Sequence, residues 1–196
     1  MQHRIGFEGD YTVSSHTTLL AMYDFYYRDF DPGTSATING LTAGARQFFT
    51  EHTYADASFG YDFINSFNNK DYIKPRVSLR LTDDFDPATR ASVSFDKRSY
   101  TNASTQDLFN YWQTALSFSR RLFDRLGFNA SGFYGKGRYM VYNIKDTLKG
   151  VSAGFAYDIS HNVTGTLNYS YSKTTSNDPG REYEKNTVSA GITAVF

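Results

Sequence analysis

The side chains with chemistry to offer are four histidines, a knot of aspartates and a series of evenly spaced cations. His3, His16, His52 and His161 could ligate a metal or shuttle protons. Their spacing argues against both roles: His3 sits at the N-terminus, and the others fall in three separate turn-like sequences. Asp83, Asp84 and Asp86 form an acidic knot, and neighbouring carboxylates can share a proton. They too lie in turn-like sequence, with no histidine close by in the chain. There is no cysteine, so disulfides and thiolate ligands are excluded. No nucleophile stands beside a base. The expectation is therefore no catalytic centre, no metal and no cofactor.

The cations carry a better signal. Lys74, Arg76 and Arg80 fall on alternate positions, and so on one face of an extended strand. Arg90, Asp96 and Arg98 share a face of the next segment. Arg4, Glu8, Asp10, Asp24, Arg28, Arg46, Asp56 and Asp62 occupy the corresponding polar positions of other segments. Facing one water-filled interior, such charges could set up a transverse field that screens solutes. They could equally pair with one another and fill a narrow interior. Both readings stand. Asp24, Arg28, Arg46, Asp56, Asp62, Lys74, Arg76, Arg80, Arg90, Asp96 and Arg98 are the pore-lining candidates. Tyr26, Tyr111 and Phe133 could stack on sugar rings, although packing is the commoner role for such aromatics.

The elements that position these charges follow from a period of two. Leu19, Ala21, Tyr23, Phe25 and Tyr27 oppose Thr18, Asp24 and Arg28. Ala55, Ala57, Phe59, Tyr61 and Phe63 oppose Asp56, Ser58, Gly60 and Asp62. Val151, Ala153, Phe155, Tyr157 and Ile159 oppose Ser152, Gly154 and Asp158. The pattern blurs at 41–50, where Phe48 and Gln47 fall on the wrong faces, and at 108–120. About eleven strands of roughly 10–13 residues emerge, long enough to cross a bilayer when tilted. Tight turns, as at Ser14–His16, Asp83–Asp86 and Ser160–Asn162, alternate with longer polar loops, as at Asp31–Asn39 and Ser176–Gly180. Short turns at one end and longer loops at the other mark a membrane barrel.

Composition agrees. Mean hydropathy is −0.51, net charge is zero, and 16 Tyr and 17 Phe stand against one Trp. Zero net charge gives no reason to expect nucleic acid. No apolar run is long enough for a transmembrane helix. Aromatics favour the ends of the apolar faces: Tyr11, Phe49, Tyr54, Phe128 and Tyr157 near tight turns, and Tyr27, Phe63, Trp112, Tyr134 and Tyr171 near loops. Two such belts suit the two lipid interfaces. The expected fold is all-β, an antiparallel up-and-down transmembrane β-barrel in one domain over 1–196. Every backbone amide must be paired in hydrocarbon, so the sheet must close. An odd strand count then implies at least one further N-terminal strand, giving 12 or more in the complete protein.

The C-terminal stretch from Tyr157-Asp158-Ile159-Ser160 through Leu167-Asn168-Tyr169-Ser170-Tyr171 to the final strand resembles the outer-membrane β-barrel porin family associated with exopolysaccharide gene clusters. Val188, Ala190, Ile192, Ala194 and Phe196 resemble the terminal signal read by the barrel-assembly machinery, with Ala194 where an aromatic is common. The resemblance implies an integral protein of the Gram-negative outer membrane, surrounded by lipid, passing small polar solutes or serving polysaccharide transport. The alternative is a closed barrel binding glycans or protein partners through its loops.

Overall fold

The structure, a computed structural model, describes residues 2–30, 34–65, 71–102 and 107–195. Eleven antiparallel strands follow one another: β1 Gln2–Ser14, β2 Thr17–Phe30, β3 Thr34–Phe48, β4 Thr53–Asn65, β5 Asp71–Asp86, β6 Thr89–Asn102, β7 Asp107–Phe123, β8 Leu126–Tyr139, β9 Lys145–Ser160, β10 Val163–Ser176 and β11 Tyr183–Ala194. A single 3₁₀ turn, Pro179–Arg181, interrupts the β10–β11 loop. Each strand pairs with its sequence neighbours, so the order in the sheet is the order in the chain. The β1 and β11 edges are not paired to each other among the described residues.

The strands run 12 to 17 residues, longer than alternation suggests. A tilted strand needs about 9–11 residues to cross hydrocarbon, so several strands rise beyond it. Two boundaries differ from expectation for this reason. Residues 34–39 are not loop but the start of β3, where Ser35, Thr37 and Asn39 pair with Asp29, Tyr27 and Phe25. Asp83, Asp84 and Asp86 are not turn but the end of β5; the reversal falls at Pro87-Ala88. Pro87 has no N–H to give a ladder and so suits the reversal.

Register fixes which side chains share a face. Asp24, Gly40, Asp62 and Lys74 lie side by side across β2 to β5. Leu79, Phe95 and Thr114 do so on the opposite face of β5 to β7. The blurred 41–50 segment is regular β3. Phe48 turns inward and lies 5.3 Å from the Tyr54 ring. Gln47 turns outward, where its amide oxygen accepts the Thr17 hydroxyl at 2.7 Å. The exception is energetically sensible: each misplaced side chain has its own partner close to a turn.

The outer face carries the apolar surface. Phe7, Tyr11, Leu41, Phe59, Leu116, Val188 and Ile192 are all exposed there. In water such a wall would be an aggregation hazard. In hydrocarbon it is the solvated surface.

Candidate functional site

The inner face of β1 to β6 gathers nearly all the charge. Arg76 of β5 places Nη1 2.6 Å from Asp24 Oδ2 on β2 and 3.8 Å from Asp62 Oδ1 on β4. Arg4 of β1 approaches the other Asp24 oxygen at 3.5 Å. The guanidinium can reach across β3 because residue 40 is glycine. A Cβ there would lie 2.6 Å from Arg76 Nη1 and 3.0 Å from Asp62 Oδ1. Lower in the barrel Arg46 grips Asp56 through two contacts, 2.6 and 3.2 Å, and lies over the Tyr54 ring at 5.0 Å. Asp96 accepts the Ser78 hydroxyl at 2.7 Å. Lys74 and Arg98 stand over the rings of Tyr72 and Tyr100. Arg80 points into the same interior, and its backbone pairs with Asp56.

Charges of opposite sign are thus interleaved within this wall rather than sorted onto facing walls. The division lies elsewhere. The inner face of β7 to β10 is mostly small and neutral, with Ser117, Ser119, Asn129, Ser131, Ser152, Asn168 and Ser170. Cross-strand hydroxyl pairs at 2.7 Å join Ser92 to Ser117 and Ser131 to Ser152. Spacing within single strands could not show this asymmetry, because it emerges only when the strands stand side by side.

The outer face carries two rows of rings on β6 to β9. Phe118, Phe128 and Phe155 touch in sequence near the tight turns, with centroids 6.3 and 5.2 Å apart. Phe95, Trp112 and Tyr134 do so toward the loops, at 6.1 and 5.9 Å. Tyr11, Tyr27, Phe63, Tyr157 and Tyr171 also fall on outward positions. Phe49 lies exposed in the β3–β4 turn. Tyr54 is a correction: it faces inward beside Phe48 and Arg46. Its place at a strand end suggested a lipid-interface role, but register with Asp56 two residues on puts it on the polar face. Val188, Ala190, Ile192 and Ala194 share the outer face of β11, whereas Phe196 lies outside the described residues.

The remaining chemistry-bearing residues serve turns. His16 Nδ1 lies 2.8 Å from the Ser15 hydroxyl. Asp84 binds Arg90 in a fork whose second contact is 2.9 Å. Asp86 accepts the Ala88 N–H at 2.7 Å across the reversal. No group of metal-ligating side chains converges among the described residues.

One arrangement has no counterpart in the sequence pattern. β5 and β6 pair only as far as Val77 and Lys97. Beyond that point β5 stays with β4 and β6 stays with β7, and no pairing joins β5 to β6 among the described residues. Ser99 and Thr101 of β6 and Leu108 of β7 lean into the lumen. Leu108, on the outward face of β7, packs against Ile38 and Ile64, which point inward from β3 and β4. Tyr26, Tyr72 and Met140 close around them. The Ser99 N–H donates to Asp62 Oδ2 at 3.4 Å, and Arg28 Nη1 donates to the Thr101 carbonyl at 3.2 Å. Asp107 ties the hairpin to the β8–β9 turn, accepting the N–H groups of Leu108, Val141 and Tyr142. Below the hairpin lies a recess of about 210 Å³, lined by Arg4, Asp24, Asp62, Arg76, Arg98 and Tyr100 among others.

The docking energetics nearly cancel. Burying Leu108 and Ile64, each 1% exposed, is worth about 1.5–3 kcal/mol apiece. The hydroxyls of Ser99 and Thr101 are buried there without partners among the described residues, at about 1–3 kcal/mol each. Sequence offered one hint: Ile38 and Ile64 are apolar residues on positions that alternation assigns to water. Leu108 gave none, since its outward position looks ordinary.

An apolar outer wall with two rows of rings around a polar interior is a membrane barrel. Residues 109–196 match the family described as "Putative beta-barrel porin 2". The chain has the all-β, up-and-down fold of outer-membrane β-barrels. Its fold is similar to the FrpB iron transporter from Neisseria meningitidis, with a TM-score of 0.75 and 12% identity over 100% of this chain and 40% of that one. It is also similar to the outer-membrane channel DcaP of Acinetobacter baumannii, with a TM-score of 0.67 and 14% identity over 97% of this chain and 62% of that one. The chain therefore spans less than two thirds of either structure, and the likeness is one of fold. No curated protein matches it.

Proposed function

We propose that the protein is a porin-like channel for small polar solutes in the Gram-negative outer membrane. The observation that supports this best is the face partition: exposed apolar side chains and rings outside, ion pairs, serines and asparagines inside. An interior lined this way keeps water, and a channel needs only a continuous wet path. The pore-lining set is Asp24, Arg28, Arg46, Asp56, Asp62, Lys74, Arg76, Arg80, Arg90, Asp96 and Arg98. Service to exopolysaccharide export is a narrower form of the same role. In this reading 1–196 form one barrel domain. The β1 and β11 edges, not paired to each other among the described residues, have to be covered in hydrocarbon. The barrel-assembly machinery would then receive the outward series Val188, Ala190, Ile192, Ala194 and Phe196.

Single-channel recording with the full-length protein in planar bilayers tests the proposal. Discrete ohmic steps in KCl are expected. A folded, detergent-soluble barrel that gives no steps and no solute uptake into liposomes rejects it. The second reading, a closed barrel acting through its loops, draws support from the interleaved ion pairs and the docked hairpin, both of which narrow the lumen.

A further inference from the structure

We infer that the recess on the inner wall of β1 to β6 is a binding site for a small organic carboxylate, met by solutes on their way through the lumen. The inference rests on the channel reading and names a substrate class for it. Spare charge is the first observation. Both carboxylates of the recess are already committed. Asp24 presents one oxygen to Arg76 at 2.6 Å and the other to Arg4 at 3.5 Å. Asp62 has one oxygen 3.8 Å from Arg76 and accepts the Ser99 N–H with the other at 3.4 Å. The cations are not committed to the same degree. Arg98 makes no ion pair among the described residues; its guanidinium stands over the Tyr100 ring at 4.6 Å. Arg4 keeps 69% of its side chain exposed.

Three guanidinium groups thus face two carboxylates around the recess, and the spare capacity is in donors. An oxyanion completes such a set, because a guanidinium can take a carboxylate through two parallel N–H bonds. A cation would have to compete with Arg4 and Arg76 for acceptors. The second observation is the apolar part of the same wall. Tyr26, Ile38 and Tyr100 line the recess beside the charges. These side chains offer little to an inorganic ion but can cover the body of an organic one. The third is size. A volume of about 210 Å³ is below the roughly 300–1,000 Å³ of drug-sized sites, so that body is a single ring or a short chain. Arg4, Arg76 and Arg98 come to the recess from β1, β5 and β6 as the strands stand, and no strand has to move. Binding has to be modest in strength, since a conducting site must release what it takes up.

Equilibrium dialysis of radiolabelled benzoate against the full-length protein in detergent, corrected for detergent alone, tests the site. Benzamide is the uncharged molecule of the same shape. Saturable benzoate binding is expected, with benzamide at least tenfold weaker. Arg98→Gln, checked for folding by circular dichroism, should weaken benzoate at least tenfold and leave benzamide unchanged. Inorganic phosphate at equal concentration should not displace benzoate. Equal binding of benzoate and benzamide overturns the anion site, and this comparison stands on the unsubstituted protein if Arg98→Gln does not fold. Unchanged benzoate binding by a folded Arg98→Gln also overturns it, and displacement by phosphate overturns the role given to the rings. Benzoate uptake into liposomes carrying the protein separates the site from the channel. Binding without uptake overturns the channel reading and leaves the site standing; uptake without saturable binding overturns the site and leaves the channel.

Discussion

Arg76 and Asp24 meet at 2.6 Å although two whole strands, β3 and β4, separate the strands that carry them. The long arginine side chain reaches along the inner wall past Gly40, with Asp62 Oδ1 3.8 Å from the same nitrogen. This contact ties β2 to β5 directly and pairs their opposite charges.

Gly40 is the residue that permits the crossing. Gly40→Ala is expected to push Arg76 aside and cost about 1–3 kcal/mol, the usual penalty for overpacking. Gly9→Ala is the control, because a Cβ there meets nothing within 4 Å. Urea unfolding midpoints of the two variants in detergent micelles check this. Equal midpoints would show that the path over residue 40 has slack.

Removing the cation itself should change ion preference. Arg76→Gln leaves Asp24 and Asp62 facing the recess with Arg4 and Arg98. Permeability should shift toward cations, since field strength in a narrow, low-dielectric lumen responds to single charges. Reversal potentials in a KCl gradient measure the shift. Movement toward anion preference would contradict the assignment of this cluster to the conducting path.

Position along the outer wall sets the penalty for a charge facing lipid. Leu116 lies between the two rows of rings and is 61% exposed, while Tyr157 lies near a tight turn. Leu116→Arg is expected to cost about 2–4 kcal/mol and Tyr157→Arg about 0–1 kcal/mol. Equilibrium folding into lipid vesicles from urea reads both. The reverse ranking would move the bilayer midplane away from Leu116.

Trp112 is the one tryptophan of the chain, so its fluorescence reports a single depth. It stacks on Phe95 and meets the Tyr134 ring at a tilt in the loop-side row. Lipids brominated near the headgroup should quench it more strongly than lipids brominated near the chain end. Stronger quenching from the chain end would place this row in the hydrocarbon rather than at its boundary.

Most of the architecture was legible because a strand has a period of two and lipid enforces it on every strand. Leu19 to Tyr27 and Ala55 to Phe63 could be assigned to the outer wall from spacing alone. The strand count, the outward rings and the inward charges follow from the same rule. Tyr54 was misread because chemical type suggested an interface, while its register with Asp56 decided otherwise. Asp83 to Asp86 looked like a turn because acids favour turns, yet Asp84 pairs with Arg90 inside the ladder. The docked hairpin was not legible. Leu108 keeps its expected parity, and only the loss of pairing between β5 and β6 turns its outward face toward the lumen. Contacts between strands three and four apart in the chain leave no periodic trace.

On β8 the two rows of rings are marked by Phe128 and Tyr134, six residues apart, or about 20 Å along a strand. Tilt shortens that distance further when projected on the bilayer normal. The slab of acyl chain that this side of the protein wets without mismatch is consequently thin. Bacterial outer membranes are thinner than average, and a thick sterol-rich bilayer would have to pinch inward around β7 to β9. Lipid choice in reconstitution should therefore favour short chains.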